Sequence, residues 1–471
     1  MPPPGMHSQR SDERVVVHKG ESLEDLVGLM RGSLSPQRRP SSVAPVSDHQ
    51  LSALDDVPVP SSFWEEFLIY WLFVLIGVGY LFPFSALTQP VDYWKKLFPD
   101  RSLDFDVTAT FMYTNLVMLF VLVFASGKST INFTRRMVGG FLGQFLVLVV
   151  VPSSYFLHLH ETSNYLLIMG GTAFVAVATA FLDSSVIALA MQYPFSAQQA
   201  LQVGVGLSTL IGSVYRDITK AAMPRSEVIL SSLIYFYTGA VTVLLCLLGY
   251  IWLTVLPISK QIQIRRQISL ENQLTAQLLE DGEGESEGDG GAKGKEDVSV
   301  LSVLTKVGDL HMVIALVFTA SLSVWPSLIA DLPAFQFESL NDSQWWPLLL
   351  LTLFSVMDVV GRSLLFCRFG LTRVTIWVPC LARTLLVPLL VMVKTGGFPL
   401  LAPRSDLFVI LVVTVMGFTN GHTGSLAIIF VKEAVDQRES NRAGAMSSFF
   451  LNFGLVLGAS VGLLLKSFVI G

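Results

Sequence analysis

Apolar residues run through this chain in long stretches, each of a length that spans the hydrocarbon core of a bilayer as a helix. Polar and charged residues gather between these stretches and near the start of the chain. The pattern predicts an all-α polytopic membrane protein with about eleven transmembrane helices. The predicted spans are residues 66–88, 106–126, 137–157, 165–190, 199–221, 229–256, 310–330, 346–366, 374–393, 406–431 and 444–467.

Two polar segments divide the chain. Residues 1–62 are rich in Ser, Pro and charge, and residues 258–308 contain a run of acidic residues and glycines. Neither composition can bury a core, so we expect a disordered cytoplasmic N-terminal tail and a disordered acidic cytoplasmic loop. The loop separates a first bundle of six helices (63–257) from a second of five (309–471). Two bundles closing around a central path are the architecture that alternating access needs.

Composition narrows the class of protein. The chain is 52% hydrophobic and 14% charged, against about 25% charged for soluble domains. Its net charge of -5 is spread over tails and loops, and no basic stripe indicates a nucleic-acid partner. The three cysteines lie in or beside apolar runs, without the spacing of a disulfide framework or a metal cluster. We therefore expect the lipid bilayer as a partner, and no nucleic acid, metal or cofactor.

Lys and Arg near the predicted helix ends set the orientation. With a cytoplasmic N-terminus, the short inner loops carry Arg135, Arg368, Arg373 and Arg442, while residues such as Lys95 lie outside. The bias favours a cytoplasmic N-terminus.

The most informative residues are Asp358 and Arg362, opposite charges four residues apart in a nearly uncharged apolar run. A spacing of four places both side chains on one face of a helix, where they can pair. An ionisable residue inside a membrane costs about 3 kcal/mol or more and normally faces a bundle interior or a water-filled path. The pair indicates a polar site for something that crosses the membrane. The alternative is a structural ion pair that locks two helices.

Three other polar positions fall inside predicted spans. Asp183 is a lone carboxylate that must pair, stay protonated or take part in binding a proton or substrate. His422 lies in a polar stretch, 418–425, where an unwound or kinked helix could offer backbone groups to a ligand. The alternative for His422 is a neutral histidine bonded to a neighbouring helix. For Arg383 we expect a structural role near the membrane interface.

We do not expect an enzyme. An enzyme needs a nucleophile beside a base or a cluster of metal ligands, and neither pattern occurs in the sequence. Ser447 and Ser448 lie in an apolar helix without a local base.

Several segments together resemble the equilibrative nucleoside transporter family, in particular its plant and protist branch. Residues 354–363, with Asp358 and Arg362, look like the family's eighth-helix signature, and residues 79–85 resemble its first-helix stretch. Residues 206–221 are similar to its fifth helix. The resemblance covers most of residues 66–468 in order. It implies a major-facilitator-like 6+5 bundle of eleven helices with an inside N-terminus and an outside C-terminus.

The resemblance also implies a function. The chain would be a solute carrier that moves nucleosides by alternating access, with nucleobases as an open further class. Arg362 would donate to ribose oxygens, and Asp358 would accept from ribose hydroxyls. Asp183 would face the base, Phe84 and Thr88 would pack near it, and Asn420 and His422 would complete the cavity. The predicted substrate-binding residues are therefore Asp358, Arg362, Asp183, Phe84, Thr88, Asn420 and His422.

Two departures from the family pattern matter. Asp183 stands where the family carries a Gln that bonds the base, and Phe84 stands where a Trp is usual. A carboxylate has no amide donors and can carry a charge, which puts the base preference in question. It also opens proton coupling as an alternative to facilitated diffusion, the family's usual mode.

The plasma membrane is the expected location, with a vacuolar or lysosomal membrane as the alternative. The competing functions are transport of another small polar solute on the same fold and a non-transporting signalling or scaffold protein.

Overall fold

The computed structural model describes residues 62–99, 103–125, 133–223, 227–264, 300–342, 345–398, 400–436, 439–465 and 467. The tail predicted at 1–62 lies outside these residues apart from Ser62. Residues 265–299 of the predicted acidic loop also lie outside them. The predicted loop, 258–308, extends too far at both ends, because residues 258–264 and 300–308 are helical.

The described chain is built from long α-helices and contains no strand within the described ranges. The first group is α1 (Phe63–Thr88), α2 (Leu103–Phe120), α3 (Phe133–Ser153), α4 (Glu161–Met191), α5 (Phe195–Ala222) and α6 (Val228–Val255). The second group is α7 (Val300–Leu322), α8 (Trp345–Ser363), α9 in two segments (Trp377–Thr384 and Leu386–Thr395), α10 (Asp406–Ala434) and α11 (Ser440–Leu465).

Ten of these described helices are long and apolar enough to cross a membrane, so the protein is an integral, multi-pass one. Helix α5 is the exception. Its 28 residues would reach across a bilayer, but polar side chains such as Gln198, Gln202 and Arg216 lower its hydropathy. The predicted count of eleven spans therefore depends on α5 and stays a prediction.

The start of α1 is fixed by its own sequence. The Ser62 hydroxyl accepts a hydrogen bond from the Glu65 N–H at 3.2 Å, which caps the helix. The Glu65 carboxylate accepts from the Ile258 N–H at 2.9 Å. This second bond ties the start of α1 to the segment that follows α6.

The helices pack mainly within their own group. In the first group α1 lies along α5 and α6, and α4 packs on α2 and α3; in the second, α7 packs on α10 and α11, and α8 on α10. Two extended contacts join the groups, α4 against α11 and α5 against α8. Both groups belong to one compact unit, residues 54–471. Their assignment as separate domains stays a prediction.

Helix α10 passes unbroken through the polar stretch 418–425, so the predicted unwinding there is wrong. The polar residues are accommodated by close packing and by local bonds; the Thr419 hydroxyl, for example, donates to the Val415 carbonyl at 2.7 Å. Gly421 shows why glycine is needed here. A Cβ at this position would overlap the main-chain oxygen of Asp358. The glycine lets α10 lie directly against α8 at the level of the Asp358–Arg362 pair.

Candidate functional site

Asp358 and Arg362 lie one turn apart on α8 and form an ion pair. Arg362 Nε lies 2.8 Å from Asp358 Oδ2, and the Arg362 and Asp358 side chains are only 4% and 5% exposed, respectively. Removing two charges from water costs several kcal/mol per ion, so a buried pair needs further hydrogen bonds to its remaining polar atoms.

Three residues of other helices supply those bonds. Asn420 Nδ2 of α10 donates to Asp358 Oδ1 at 2.6 Å. Arg362 Nη1 donates to Gln202 Oε1 of α5 at 3.0 Å and to Ser425 Oγ of α10 at 3.2 Å. We call Asp358, Arg362, Gln202, Asn420 and Ser425 the Arg362 cluster. It joins α5 of the first group to α8 and α10 of the second.

Gly206 gives the Arg362 cluster its room. It lies one turn after Gln202 on α5, and a Cβ there would lie 2.8 Å from Cδ of Arg362 and 3.1 Å from Oδ2 of Asp358. A larger residue would push α5 away from the ion pair.

A second guanidinium, Arg383 of α9, extends the cluster. It is 1% exposed and donates to the Val317 carbonyl at 3.0 Å and to Ser321 Oγ at 2.7 Å. Ser321 Oγ in turn donates to Asn420 Oδ1 at 2.6 Å. Arg383 is therefore buried among the helices of the second group, where it has a structural role and orients Asn420 through Ser321.

Asp183 lies at the other contact between the groups, where α4 meets α11. Its Oδ2 accepts from Asn115 Nδ2 of α2 at 2.9 Å and from Asn452 Nδ2 of α11 at 3.4 Å. The Tyr80 side chain of α1 also contacts the carboxylate. We call Asp183, Asn115, Asn452 and Tyr80 the Asp183 cluster. Both amides bond to Oδ2, and Oδ1 of Asp183 accepts no hydrogen bond within the described residues.

The Asp183 cluster borders a small cavity of about 10 Å³, roughly the room that one water molecule needs. The walls are mostly apolar and include the rings of Phe84 and Phe111, whose centroids lie 5.1 Å apart. Among the described residues that line the cavity, Asp183 is the one with an ionisable side chain. The lining residues are Leu81, Phe84, Phe111, Met112, Thr179, Asp183, Asn452, Leu455 and Val456.

Tyr80 is buried within electrostatic reach of both clusters. It is 2% exposed, and its phenol interacts electrostatically with both the Asp183 carboxylate and the Arg362 guanidinium. The Asp183 cluster carries one acid, whereas the Arg362 cluster with Arg383 carries one acid and two guanidiniums. The interior thus has a more basic side on the second group of helices and an acidic side on the first.

The structure brings most of the predicted site residues to one of these two places. Asp358, Arg362 and Asn420 share the Arg362 cluster, while Asp183 and Phe84 line the cavity. Thr88 belongs to neither place, because its hydroxyl donates back to the Phe84 carbonyl at 2.8 Å and it does not line the cavity.

His422 also lies outside both clusters. Its Nε2 is 2.9 Å from the Cys367 carbonyl beyond the end of α8, and its ring stacks on Phe418. The cause is helix geometry. Residues two positions apart in an α-helix point in directions about 200° apart around the helix axis. Asn420 and His422 therefore cannot face the same space on the unbroken helix α10. The structure thus matches the alternative interpretation, a histidine bonded to a neighbouring segment.

Sequence reasoning missed the uncharged members of the clusters: Gln202, Ser425, Asn115, Asn452 and Tyr80. A neutral amide or hydroxyl in an apolar helix carries a much weaker signal than a charge. One signal was available, since Gln198 and Gln202 stand four residues apart in α5 and mark a polar face. No group of three or more His, Cys, Asp or Glu side chains in the described ranges could hold a metal ion.

Solved structures with a similar fold are membrane transporters. A proton:xylose symporter of the major facilitator superfamily matches with a TM-score of 0.54 at 11% identity, covering 87% of this chain and 97% of that one. A bacterial homologue of the iron transporter ferroportin also gives a TM-score of 0.54, at 15% identity, covering 85% and 92%. These likenesses show a major-facilitator-like helical fold.

Sequence relatives give the family. Equilibrative nucleotide transporter 8 of Arabidopsis thaliana is 25% identical over 87% of this chain and 97% of its own length. Equilibrative nucleotide transporter 1 of the same plant is 28% identical over 83% of this chain and 84% of its own length. Equilibrative nucleoside transporter 1 of Rattus norvegicus is 23% identical over 86% of this chain and 98% of its own length. The family model described as "Nucleoside transporter" matches residues 169–467, which is more than half of the chain, and the protein therefore belongs to the nucleoside transporter family.

Proposed function

We propose that this nucleoside transmembrane transporter holds the sugar of its substrate at the Arg362 cluster and the base at the Asp183 cavity, and works by alternating access. The observation that carries the proposal is the placement of the two clusters. Each lies where the two groups of helices meet, one at the α5–α8 contact and one at the α4–α11 contact.

The Arg362 cluster has the chemistry that a ribose needs. A guanidinium donates in a fixed fork and cannot accept, while a carboxylate accepts and cannot donate. Sugar hydroxyls do both, so neighbouring hydroxyls can accept from Arg362 and donate to Asp358. Burial makes this selective, because a sugar that lacks a hydroxyl leaves a buried polar group unpaired.

The Asp183 cavity has the chemistry that a base needs, and it would admit a base once the two groups of helices move apart and widen it. The Phe84 and Phe111 rings offer flat apolar surface, and stacking of a base on an aromatic ring is worth about 1–3 kcal/mol. Oδ1 of Asp183 is an acceptor for an N–H of the base. An ionised Asp183 accepts and cannot donate, so in that form bases that present N–H groups at this position should be preferred. Nucleobases without sugar would use this half of the site alone.

The coupling mode is part of the proposal. In the first version Asp183 only accepts a bond from the base and transport is facilitated diffusion. In the second version Asp183 also carries a proton with the substrate. The two versions predict different pH dependences of uptake, so uptake measured at several external pH values separates them.

We further propose a cytoplasmic N-terminus and a plasma-membrane location. Support for the orientation comes from one end of the second group, where Arg373 pairs with Asp309, Arg368 with Glu433, and Lys306 with Glu439. This concentration of Lys and Arg between spans is typical of the cytoplasmic side.

The function is tested by uptake of radiolabelled uridine and adenosine into a cell that lacks nucleoside transport. We expect saturable uptake that unlabelled uridine inhibits, and weak inhibition by a dideoxyribose analogue of uridine. Loss of the hydroxyl contacts to a buried charged pair should weaken the analogue about tenfold to a hundredfold. Equal inhibition by both compounds would show that the sugar is not held at Arg362.

A further inference from the structure

Gln202 of α5 is an acceptor that the first group of helices offers to Arg362. Its Oε1 lies 3.0 Å from Arg362 Nη1 and 3.2 Å from Ser425 Oγ, and the residue is 2% exposed. Arg362 therefore has partners on three helices. Asp358 lies on its own helix, Ser425 lies on α10, and Gln202 lies across the contact between the two groups.

The carbonyl of Gln202 occupies a position on Arg362 Nη1 that a substrate oxygen could otherwise take. Arg362 Nε is taken by Asp358 and Nη1 by Gln202 and Ser425. A sugar oxygen that binds Nη1 must replace the Gln202 oxygen, which is also a neutral oxygen acceptor. The amide thus presents the same chemistry to the guanidinium as a sugar hydroxyl does.

We infer that Gln202 takes the place of the sugar on Arg362 when the transporter changes sides without substrate. This inference rests on the proposed binding of sugar at Arg362. In an alternating-access cycle the carrier must return empty after each net transport event, and the site must then pass through a closed state that excludes water. A buried guanidinium that loses an acceptor in that state is left with an unsatisfied N–H, which destabilises the closed, empty carrier. Gln202 supplies the acceptor and so permits the empty return.

The inference separates two transport modes. Net uptake into substrate-free cells needs the empty return, whereas exchange of labelled for unlabelled nucleoside does not, since the carrier is loaded in both directions. Gln202 should therefore be important for net uptake and dispensable for exchange. A residue that only supports the fold, or only binds substrate, would affect both modes together.

The test is Gln202→Leu, which keeps the size of the side chain and removes its acceptor. We expect net uptake of uridine to fall about tenfold or more, with exchange at the same surface abundance within about twofold of the parent. Gln198→Leu is the matched control. Gln198 lies one turn earlier on α5, is fully buried, and makes no side-chain hydrogen bond within the described structure. The control should keep the parent's ratio of exchange to net uptake.

A second variant tests the inference in the opposite direction. Gln202→Glu keeps an acceptor and makes it a stronger competitor for Arg362, so the empty return should persist. The sugar must then displace a carboxylate, and the half-saturation concentration for uridine should rise about tenfold. If Gln202→Leu fails to reach the surface, an unchanged half-saturation concentration in Gln202→Glu overturns the inference.

The remaining outcomes are also decisive. Equal loss of exchange and net uptake in Gln202→Leu would make Gln202 a substrate-binding residue and overturn the inference. Unchanged net uptake would overturn it as well. A parent protein that transports no nucleoside would instead refute the proposed function, whereas a transporting parent with an unaffected Gln202→Leu variant would refute only the role of Gln202.

Discussion

Arg362 can bind several partners at once because its guanidinium is planar and carries five N–H donors. In this structure it contacts Asp358, Gln202 and Ser425 through two of its three nitrogens. A lysine ammonium is a compact point charge and cannot reproduce that geometry. The arrangement therefore depends on arginine at this position rather than on positive charge alone.

The first prediction concerns this pair. Arg362→Lys and Asp358→Asn should each reduce nucleoside uptake at least tenfold, because each removes charge-assisted bonds to the sugar. Surface abundance and uptake are measured together. Arg373→Lys is the control, because Arg373 also pairs with an aspartate but is 42% exposed and should tolerate the change. Normal uptake in both site variants would favour the alternative of a structural ion pair.

The second prediction concerns Asp183. If Asp183 carries a proton, uptake should rise in acid and collapse when a protonophore is added, and Asp183→Gln should keep transport but lose both responses. If it only accepts from the base, Asp183→Gln should re-rank purine and pyrimidine nucleosides with little effect of pH, because the amide adds donors.

The readouts for Asp183 are uptake at several external pH values and competition by a panel of nucleosides. Asp309→Asn is a suitable control, since Asp309 pairs with Arg373 away from both clusters and is partly exposed. An Asp183→Gln variant that matches the parent in pH response and in substrate ranking would remove Asp183 from the site.

At the level of helices, the sequence predicted most spans because long apolar runs are unambiguous. It also predicted the Asp358–Arg362 pair, because a spacing of four fixes two side chains on one face. It could not predict that Gln202 would meet Arg362 or that Asn452 would meet Asp183. Those contacts join residues 160 and 269 positions apart, and only the packing of α5 on α8 and of α4 on α11 brings them together.

The error at 418–425 has a similar cause. Glycines and polar residues within an apolar run can mark either a broken helix or a helix that packs closely on polar neighbours. Helix α10 takes the second course, since Gly421 lies directly on the α8 backbone. The same sequence pattern is compatible with both, and the neighbouring helix decides between them.

The third prediction follows from that contact. Gly421→Ala would place a methyl group on the main-chain oxygen of Asp358 and force α8 and α10 apart. We expect a loss of about 1–3 kcal/mol in stability, seen as reduced surface abundance and a lower melting temperature of the purified protein. Gly170→Ala in α4 is the control, because no other group lies within 4 Å of the added carbon. Equal behaviour of the two variants would show that α8 and α10 need no such close approach.

At the level of the whole molecule, the two groups of helices also meet near the α4–α5 turn. Gln192 Nε2 donates to Asn441 Oδ1, and Lys432 Nζ donates to the Tyr193 carbonyl at 2.6 Å. These contacts join the turn between α4 and α5 to the ends of α10 and α11. Alternating access requires the two groups to separate here in one half of the cycle, so the contacts must break and re-form.

The last prediction is that joining the two groups at this turn stops transport. A double variant, Gln192→Cys with Asn441→Cys, should lose most uptake when treated with a short, reducible thiol cross-linker and regain it after reduction. Cys367 is partly exposed and is replaced by Ser in all of these proteins, whereas Cys246 and Cys380 are buried. Each single variant should then be unaffected, and so should the Cys367→Ser parent. A protease site inserted within residues 265–299 allows the cross-link to be measured, because only linked halves stay together on a denaturing gel after cleavage. Full uptake by protein shown to be cross-linked would mean that the groups do not separate at this turn, and the alternating-access mechanism proposed here would need a different moving contact.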